Sequence, residues 1–234
     1  IRTSIELMKG WIFTDRNGTD TKVDLPHTWN AKDGQDGGND YYRGTCHYRT
    51  VFRKPAFDPE TQRVYLEFQG VNATADVELN GQSVMHHDGG YSTFRGDITD
   101  LLDDENTLKV AVDNSVNNRV YPQKADFTFY GGIYRDVLLR IVPKEHFELD
   151  YYGGEGVKIT PTVEGKDGVI RVESYHHTDN AQVAVTLLDA DGKEAAKGSG
   201  TDILLRIPGV HLWDGVEDPY MYTASVTLKR GEQI

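Results

Sequence analysis

The sequence predicts an all-β chain that folds as two consecutive β-sandwiches. Short segments in which apolar and polar residues alternate recur along the 234 residues, and such alternation is typical of strands with one buried face. Glycine, asparagine and aspartate separate these segments and indicate tight turns. No segment keeps a helical period over several turns, which argues against an α/β arrangement.

The first half contains four clear strand segments. In each, three apolar residues alternate with other residues, as Val64, Leu66 and Phe68 do in the first. The second segment ends in Asn80-Gly81, a pair that strongly predicts a two-residue hairpin turn. We therefore expect a sandwich of many short strands. The four segments are residues 63–71, 75–81, 107–113 and 135–142.

A linker separates this region from a second, smaller sandwich. Residues 143–146, Pro-Lys-Glu-His, interrupt the strand pattern, so we place the first domain at residues 1–143 and the second at 147–234. The second domain has the size of an immunoglobulin-like β-sandwich. Few residues follow its last strand segment, so we expect the chain to end before the final edge strand. The strand segments are 157–163, 169–174, 181–188 and 220–228, with a turn at 189–192.

The composition excludes two classes of partner. With 37 acidic and 25 basic residues, the chain carries a formal net charge of -12. Both halves are acidic, so no basic face is available to neutralise nucleic-acid phosphates. A membrane-spanning helix needs about 20 consecutive apolar residues, and no such run occurs. We expect neither nucleic acid nor membrane among the partners.

The single cysteine carries little information about compartment or chemistry. Cys46 alternates with Tyr48, Thr50 and Phe52, which predicts a buried thiol in a strand rather than a nucleophile. The chain begins at Ile1 without a signal-peptide pattern, consistent with a trimmed or a processed exported form. Localisation is therefore open, with the periplasm or secretion favoured over the cytoplasm.

Residues 126–137 form the most informative segment. It begins with a carboxylate, Asp126, continues with three aromatic residues, and bends at Gly131-Gly132 before an alternating strand. A carboxylate accepts hydrogen bonds from hydroxyl groups, and aromatic faces cover apolar C–H surface. The segment therefore suits the recognition of a polyhydroxylated ligand. The alternative is a structural corner with a glycine bulge and core aromatics, and the segment by itself leaves both interpretations open.

His86-His87-Asp88 has the composition of a metal-binding group. Neighbouring residues of a strand point to opposite faces, so no more than two of these side chains can share an ion. A turn next to Gly89-Gly90 is the simpler interpretation. We predict no metal site and no cofactor in this chain.

Short motifs occur in a fixed order along the whole sequence. They are Leu-Pro-His-Thr-Trp-Asn at 25–30, Tyr-Tyr-Arg-Gly at 41–44, Leu-Asn-Gly at 79–81, Gly-Gly-Tyr at 89–91, the segment 126–137, and Leu-Trp-Asp-Gly-Val-Glu-Asp-Pro-Tyr-Met-Tyr at 212–222. Together they resemble the N-terminal sugar-binding and immunoglobulin-like domains of glycoside hydrolase family 2, the family of β-galactosidases, β-glucuronidases and β-mannosidases. The resemblance implies a jelly-roll, galactose-binding-like sandwich for residues 1–143 and an immunoglobulin-like β-sandwich for residues 147–234.

The resemblance also implies an exo-acting β-glycosidase whose catalytic residues lie outside this chain. Members are retaining enzymes with two catalytic glutamates, about 5–5.5 Å apart, on a TIM barrel that follows the immunoglobulin-like domain. One of them belongs to an Asn-Glu pair, and no such pair and no βα repetition occur here. We therefore expect the non-catalytic N-terminal portion of such an enzyme, inactive by itself. Tyr-Tyr-Arg-Gly and segment 126–137 are most similar to bacterial β-galactosidases.

Three candidate substrate-binding residues follow from the resemblance. Asp126 matches the family aspartate that contacts the terminal sugar, directly or through a bound cation. Thr28 stands where members often carry asparagine or aspartate as a second sugar contact, and its hydroxyl offers fewer hydrogen bonds, which leaves that contact and the sugar open. Trp29, which packs at the same corner made rigid by Pro26, is the third candidate. His27 is expected to be a hydrogen-bonded structural histidine.

The implied partners are a terminal β-linked sugar and the downstream TIM barrel of the same protein. A homo-oligomer is compatible with the sequence, and a monovalent or divalent cation is left open for the full-length enzyme. Two alternatives remain. A stand-alone carbohydrate-binding module would share the jelly roll and the aromatics, whereas a purely structural domain pair would bind nothing.

Overall fold

A computed structural model describes residues 2–33, 41–122, 125, 127–176, 178 and 182–229. The chain divides into two compact units, Ile1–Lys144 and Glu145–Ile234. In the described residues, eighteen strands and one short 3₁₀ turn, Thr99–Leu101, make up the regular structure. The prediction of an all-β chain built from sandwiches is confirmed. No helix in this part of the chain is long and apolar enough to span a membrane.

The first unit is a sandwich of two antiparallel sheets. Its strands are β1 (Thr3–Glu6), β2 (Trp11–Thr14), β3 (Asp20–Val23), β4 (Thr45–Arg53), β5 (Gln62–Phe68), β6 (Val71–Asn72), β7 (Thr74–Leu79), β8 (Gln82–Asp88), β9 (Phe94–Asp97), β10 (Glu105–Asp113), β11 (Gly132–Ile133) and β12 (Val137–Pro143). The larger sheet has the order β3-β2-β4-β10-β7-β8, and the smaller one has the order β1-β12-β5-β9. Strands β6 and β11 form a separate two-stranded ribbon.

The core of the first unit lies between these sheets. The apolar residues that alternate along β5, β7, β10 and β12 are all buried, as the pattern predicts. Burial of each such side chain stabilises the fold by about 1.5–3 kcal/mol relative to exposure. The residues are Val64, Leu66, Phe68, Ala75, Val77, Leu79, Leu108, Val110, Val112, Val137, Leu139 and Ile141.

The predicted hairpin at Asn80-Gly81 is confirmed. Strands β7 and β8 pair through it, with Leu79 opposite Gln82. Both turn residues have positive φ, 51° at Asn80 and 82° at Gly81. This conformation twists in the same sense as the flanking strands, and asparagine and glycine tolerate it best.

The second unit is a smaller sandwich of two three-stranded antiparallel sheets. Its strands are β13 (Val157–Glu164), β14 (Asp167–Ser174), β15 (Gln182–Leu188), β16 (Glu194–Ser199), β17 (Asp202–Ile207) and β18 (Thr223–Lys229). One sheet has the order β13-β14-β17 and the other β16-β15-β18. Its buried core consists of Ile170, Val172, Val183, Val185, Leu187, Leu205 and Ile207.

The last strand begins later than the sequence predicts. The predicted segment starts at Tyr220, but β18 starts at Thr223. Tyr220 instead stacks on His211 with ring centroids 3.9 Å apart, and the Tyr222 hydroxyl accepts a hydrogen bond from the His211 N–H at 3.1 Å. These aromatic residues therefore order the preceding loop rather than join the ladder.

Candidate functional site

The segment that follows Asp126 forms a loop leading to β11. Asp126 itself lies outside the described residues, so its predicted contact with a sugar stays a prediction. Of the aromatic residues after it, Phe129 is buried, whereas Phe127 is 52% and Tyr130 44% exposed. The cluster therefore combines one core ring with two rings that face solvent.

Hydrogen bonds attach this loop to the corner that begins at Leu25. The His27 N–H donates to the Ile133 carbonyl at 2.8 Å, and the Trp29 N–H donates to the Gly131 carbonyl at 3.2 Å. The Thr28 hydroxyl donates to the same Gly131 oxygen at 2.8 Å. Three successive corner residues thus bind a loop that lies about a hundred residues later in the chain.

The loop can approach so closely because of its glycine pair. A Cβ on Gly131 would overlap the indole ring of Trp29. Gly132 has a φ of 141°, and a Cβ there would overlap the His27 carbonyl oxygen. Only glycine combines this backbone conformation with such a close approach.

A fully buried asparagine, Asn30, connects the corner to its surroundings. Its Oδ1 accepts hydrogen bonds from the Gly131 N–H at 2.7 Å and from Asn114 Nδ2 at 3.2 Å. Its Nδ2 donates to the Tyr42 carbonyl at 2.9 Å and to the Asp33 carboxylate at 2.5 Å. All four bonding positions of the amide are used, which offsets the cost of burying it.

Asn114 extends this network to the Tyr-Tyr-Arg-Gly motif. Its Nδ2 also donates to the Phe129 carbonyl at 2.9 Å, and its Oδ1 accepts from the Gly44 N–H at 2.9 Å. Arg43 donates from Nε to the Asn114 carbonyl at 2.8 Å and lies 4.9 Å from the centre of the Phe129 ring. The Tyr41 hydroxyl accepts from the Phe129 N–H at 2.7 Å. The motif therefore clamps the loop from the side opposite the corner residues.

The structure brings Thr28 and Trp29 together at this junction, and both have structural contacts. Besides donating to Gly131, the Thr28 hydroxyl accepts from the Asn30 N–H at 3.2 Å. The indole of Trp29 stacks on Phe13 with centroids 6.0 Å apart, and its N–H donates to the Tyr42 carbonyl at 3.3 Å. Both side chains remain half-buried, and their role in sugar binding stays a prediction.

His27 has the structural role that the sequence predicts. Its Nδ1 lies 2.7 Å from the Tyr48 hydroxyl, and its ring is 4.8 Å from that of Phe13. Burial lowers the pKa of His27, because removal from water disfavours the charged imidazolium. The ring is therefore a neutral part of the corner at neutral pH.

A cleft of about 580 Å³ lies beside the corner. Its lining combines the Trp29 and Tyr42 rings with charged groups of both signs, Asp15, Arg16, Lys32 and Asp33. Arg16 lies 5.0 Å from the centre of the Tyr42 ring. Such a mixture of charges and ring faces suits a polar ligand that presents both hydroxyl groups and C–H surface.

No nucleophile is available at this cleft among the described residues that line it. Cys46 is buried, as predicted, and burial raises the pKa of its thiol to about 11. Hydrogen bonds from the Thr19 backbone, and less strongly from Asn17, lower the pKa of Asp15 and commit its carboxylate to a turn. The arrangement can hold a ligand but lacks the means for covalent chemistry.

The two histidines of the His86-His87-Asp88 segment point to opposite faces, as expected. His86 Nδ1 lies 2.7 Å from Asp76 Oδ1, whereas His87 stacks on Phe94 with centroids 4.3 Å apart. The predicted turn is wrong here, because β8 continues to Asp88 and pairs with β7. No group of three metal-binding side chains occurs in the described residues.

Sequence reasoning missed Asn30, Asn114 and Arg43 as parts of this site. Asn30 and Arg43 belong to the two quoted motifs, but nothing in the motifs distinguishes a hub from a surface residue. Asn114 follows β10 in the sequence Asp-Asn-Ser, which indicates only a turn.

The two units match two models of one family. Residues 38–146 match the glycosyl hydrolase 2 galactose-binding domain-like family, and residues 155–234 match the glycosyl hydrolases family 2 model. Among curated proteins, a β-glucuronidase of Bacteroides fragilis is 35% identical over 255 residues and covers 100% of the chain. A β-galactosidase of Thermoanaerobacter pseudethanolicus is 30% identical and covers 88% of it.

Solved structures agree with these matches. An FMN-binding β-glucuronidase from Facaelibacterium prausnitzii L2-6 superimposes with a TM-score of 0.90 at 38% identity, over 99% of this chain and 38% of that one. The chain spans 36% of the Bacteroides fragilis relative and 29% of the Thermoanaerobacter one, about a third of their length. By its two domain matches and its full-length similarity to these enzymes, the chain belongs to glycoside hydrolase family 2.

Proposed function

We propose that the chain is the non-catalytic N-terminal portion of a retaining exo-β-glycosidase and supplies one wall of the pocket for the terminal sugar. Terminal β-glucuronides are the first candidate substrates, and β-galactosides are the second. One observation carries the proposal: glycosidases align with the whole chain, which spans only 36% of the Bacteroides fragilis β-glucuronidase. The catalytic glutamates would then lie in the rest of the protein.

The rigidity of the corner supports the role of a pocket wall. Thr28, Trp29 and the loop after Asp126 are joined by hydrogen bonds that need no ligand. A wall that is ordered before the sugar arrives loses little conformational entropy on binding. Asp126 begins this loop, and a single carboxylate there would orient a sugar through its hydroxyl groups rather than transfer a proton.

The relatives favour a glucuronide over a galactoside. The relatives named β-glucuronidase reach 35% and 38% identity, against 30% for the Thermoanaerobacter β-galactosidase. The resemblance of the Tyr-Tyr-Arg-Gly motif to bacterial β-galactosidases keeps the galactoside as the second candidate. The two sugars differ in charge, because a glucuronide carries a carboxylate at C6.

A panel of 4-nitrophenyl β-glycosides tests this proposal on the full-length protein. We expect the glucuronide to give the highest kcat/KM, with the galactoside next and the glucoside and mannoside lower. Highest activity on the galactoside would reverse the order of the two candidates. Hydrolysis of neither the glucuronide nor the galactoside would overturn the proposal.

Calorimetry on the 234-residue chain separates the remaining alternatives. We expect millimolar affinity or none for glucuronate and galactose, because half a pocket leaves the sugar largely in water. Submicromolar binding would instead support a stand-alone carbohydrate-binding module. A purely structural domain pair would leave Asp126 without influence on catalysis.

Replacement of Asp126 by alanine in the full-length enzyme tests the wall directly. A hydrogen bond to a charged group contributes about 1.5–3 kcal/mol, so kcat/KM should fall about 10- to 150-fold. The melting temperature should stay within about 2 °C of the unmodified enzyme, since surface substitutions change stability little. The matched control is Asp100→Ala, an exposed aspartate on the 3₁₀ turn, which should leave kcat/KM unchanged. Equal kcat/KM values in the two variants would remove Asp126 from the site.

A further inference from the structure

The second unit has one closed and one open side. On the closed side, β16 and β17 follow one another through a tight turn, and a Cβ on Gly198 would come within 2.9 Å of Leu205. On the opposite side the edge strands are β13 and β18. Within the described residues, each of these edge strands pairs with one neighbour, β13 with β14 and β18 with β15.

The apolar face of β13 points between the sheets but is not covered. Ile159 lies opposite Val172, and directly opposite residues share one face of a sheet. Val172 is a core residue with 1% exposure, so Ile159 also faces the interior. Even so, Ile159 is 43% exposed, and Val163 on the same face is 53% exposed.

Strand β18 shows the same mismatch on the other sheet. Val226 lies opposite Val185 and Leu228 opposite Val183. Both β15 residues are at most 2% exposed, whereas Val226 and Leu228 are half-buried. Each edge strand therefore turns an apolar face inward without the cover that the central strands have.

An apolar groove of about 360 Å³ occupies this open side. Its floor is the buried core at Ile170, Leu187 and Ile207, and its rim includes Trp213 and Met221, which are 62% and 66% exposed. Apolar surface of this kind, continuous with a core, marks a place that another element covers. Roughly a dozen waters would fill this volume at about 30 Å³ each, which is room for several aliphatic side chains.

We infer that the open side accepts one added β-strand, formed by the segment that follows β18 in the longer protein and paired antiparallel with β18. The inference rests on the proposed function, in which the chain continues into a longer enzyme. A segment that leaves β18 reaches its free edge through a hairpin, the shortest connection between antiparallel strands. Its alternate side chains would enter the groove and cover Ile159 and Val163.

The sheet edge requires a strand rather than a helix. The free edge of β18 presents N–H and C=O groups that only an extended backbone can pair in register. The edge of β13 is less suitable, because Pro161 in its middle has no N–H to donate. The added strand should therefore belong to the sheet of β18.

Hydrogen exchange of β18 compares the 234-residue chain with the full-length protein. We expect the amides of Thr223–Lys229 that point away from β15 to exchange at least about tenfold more slowly in the full-length protein, because the added strand bonds them. Light scattering on the same samples gives the oligomeric state. Equal exchange in both chains would overturn the inference. Concentration-dependent protection in a dimer of the 234-residue chain would assign the edge to a second copy instead.

A matched pair of substitutions on β13 tests the groove. Ile159→Asn places an amide where the added strand packs, whereas Thr160→Asn places it on the opposite face of the same strand. In the full-length protein, Ile159→Asn should restore fast exchange at β18 and Thr160→Asn should not. Identical exchange in the two variants would contradict an occupied groove. If Ile159→Asn does not fold, the comparison of the unmodified chains still decides.

The outcome is independent of the glycosidase assay. Protection of β18 in a protein that hydrolyses none of the glycosides would support the added strand and overturn the proposed function. Hydrolysis by a protein with an unprotected β18 would do the reverse.

Discussion

At the residue scale, Asn30 connects parts of the first unit that are far apart in sequence. Its amide joins Tyr42, Asn114 and Gly131 at distances of 2.7 to 3.2 Å. A backbone turn can satisfy one or two groups, but an amide side chain offers donors and acceptors in one plane. This is why a small polar residue, and not an apolar one, occupies the buried end of the corner.

Truncation of Asn30 should be costly. Asn30→Ala leaves the Gly131 N–H and the Tyr42 carbonyl without their buried partner, and each unsatisfied group costs about 1–3 kcal/mol. We expect the free energy of unfolding of the first unit to fall by about 2–4 kcal/mol in urea titrations followed by tryptophan fluorescence. The control Asn17→Ala, at an exposed turn, should change it by less than about 0.5 kcal/mol. Similar losses in both variants would contradict the role of the network.

Cys46 provides a second test at this scale. Burial raises the pKa of its thiol to about 11, well above its ordinary value. The thiolate is the reactive form, so at pH 8 the folded chain should react with less than about a tenth of an equivalent of Ellman's reagent. Reaction should become stoichiometric in guanidinium chloride. Stoichiometric reaction of the folded chain would show that the thiol is accessible.

At the element scale, β5 shows where a simple alternating pattern is incomplete. Val64, Leu66 and Phe68 are buried on one face as predicted, but Glu67 on the other face is also buried. Glu67 pairs with Arg95 of β9, and its Oε2 and Oε1 accept hydrogen bonds from Arg140 of β12 at 3.0 Å. A charged residue in a strand normally predicts an exposed face, and here two neighbouring strands supply its countercharges.

The pH dependence of stability follows from this carboxylate. Burial raises the pKa of Glu67, but hydrogen bonds from Arg140 and Arg95 lower it further, so its folded pKa lies below the ordinary value. A lowered pKa means that the stabilisation is present above the unfolded pKa of about 4.3 and is lost as pH falls through the folded pKa. We expect the chain to lose stability below about pH 4 partly for this reason.

Glu67→Gln removes one charge from between two arginines. The loss of one partner of a buried ion pair costs about 3–5 kcal/mol, so the urea midpoint at pH 7 should drop markedly. The variant should also lose part of the acid-induced decline, since no carboxylate remains there to be protonated. Glu60→Gln, at an exposed position, should alter neither quantity. An unchanged midpoint in Glu67→Gln would show that the ion pairs contribute no net stability.

Several strands escaped sequence analysis for a physical reason. Strands β1 and β3 have no fully buried residue, so their sequences need no alternation of apolar and polar residues. Strand β16 contains Ala195, Ala196 and Gly198, whose small side chains carry a weak strand signal. These strands are specified by their neighbours in the sheet rather than by their own residues.

At the scale of the whole molecule, the acidic balance is shared by both units. The net charge of -12 disfavours polyanionic partners and is compatible with soluble sugars as ligands. A negatively charged glucuronide would therefore need a locally positive pocket in the complete enzyme. This requirement makes the comparison of charged and neutral glycosides the most informative test of specificity.

The sequence by itself determined the all-β class, the Asn80-Gly81 hairpin and membership of glycoside hydrolase family 2. These follow from alternation, turn chemistry and ordered motifs, which are local properties of the chain. Only the tertiary structure decided that Asn30 and Asn114 are hubs, that Glu67 is buried between arginines, and that the second sandwich has an open apolar side. Each of these depends on contacts between residues far apart in the chain, and local sequence carries no signal for such contacts.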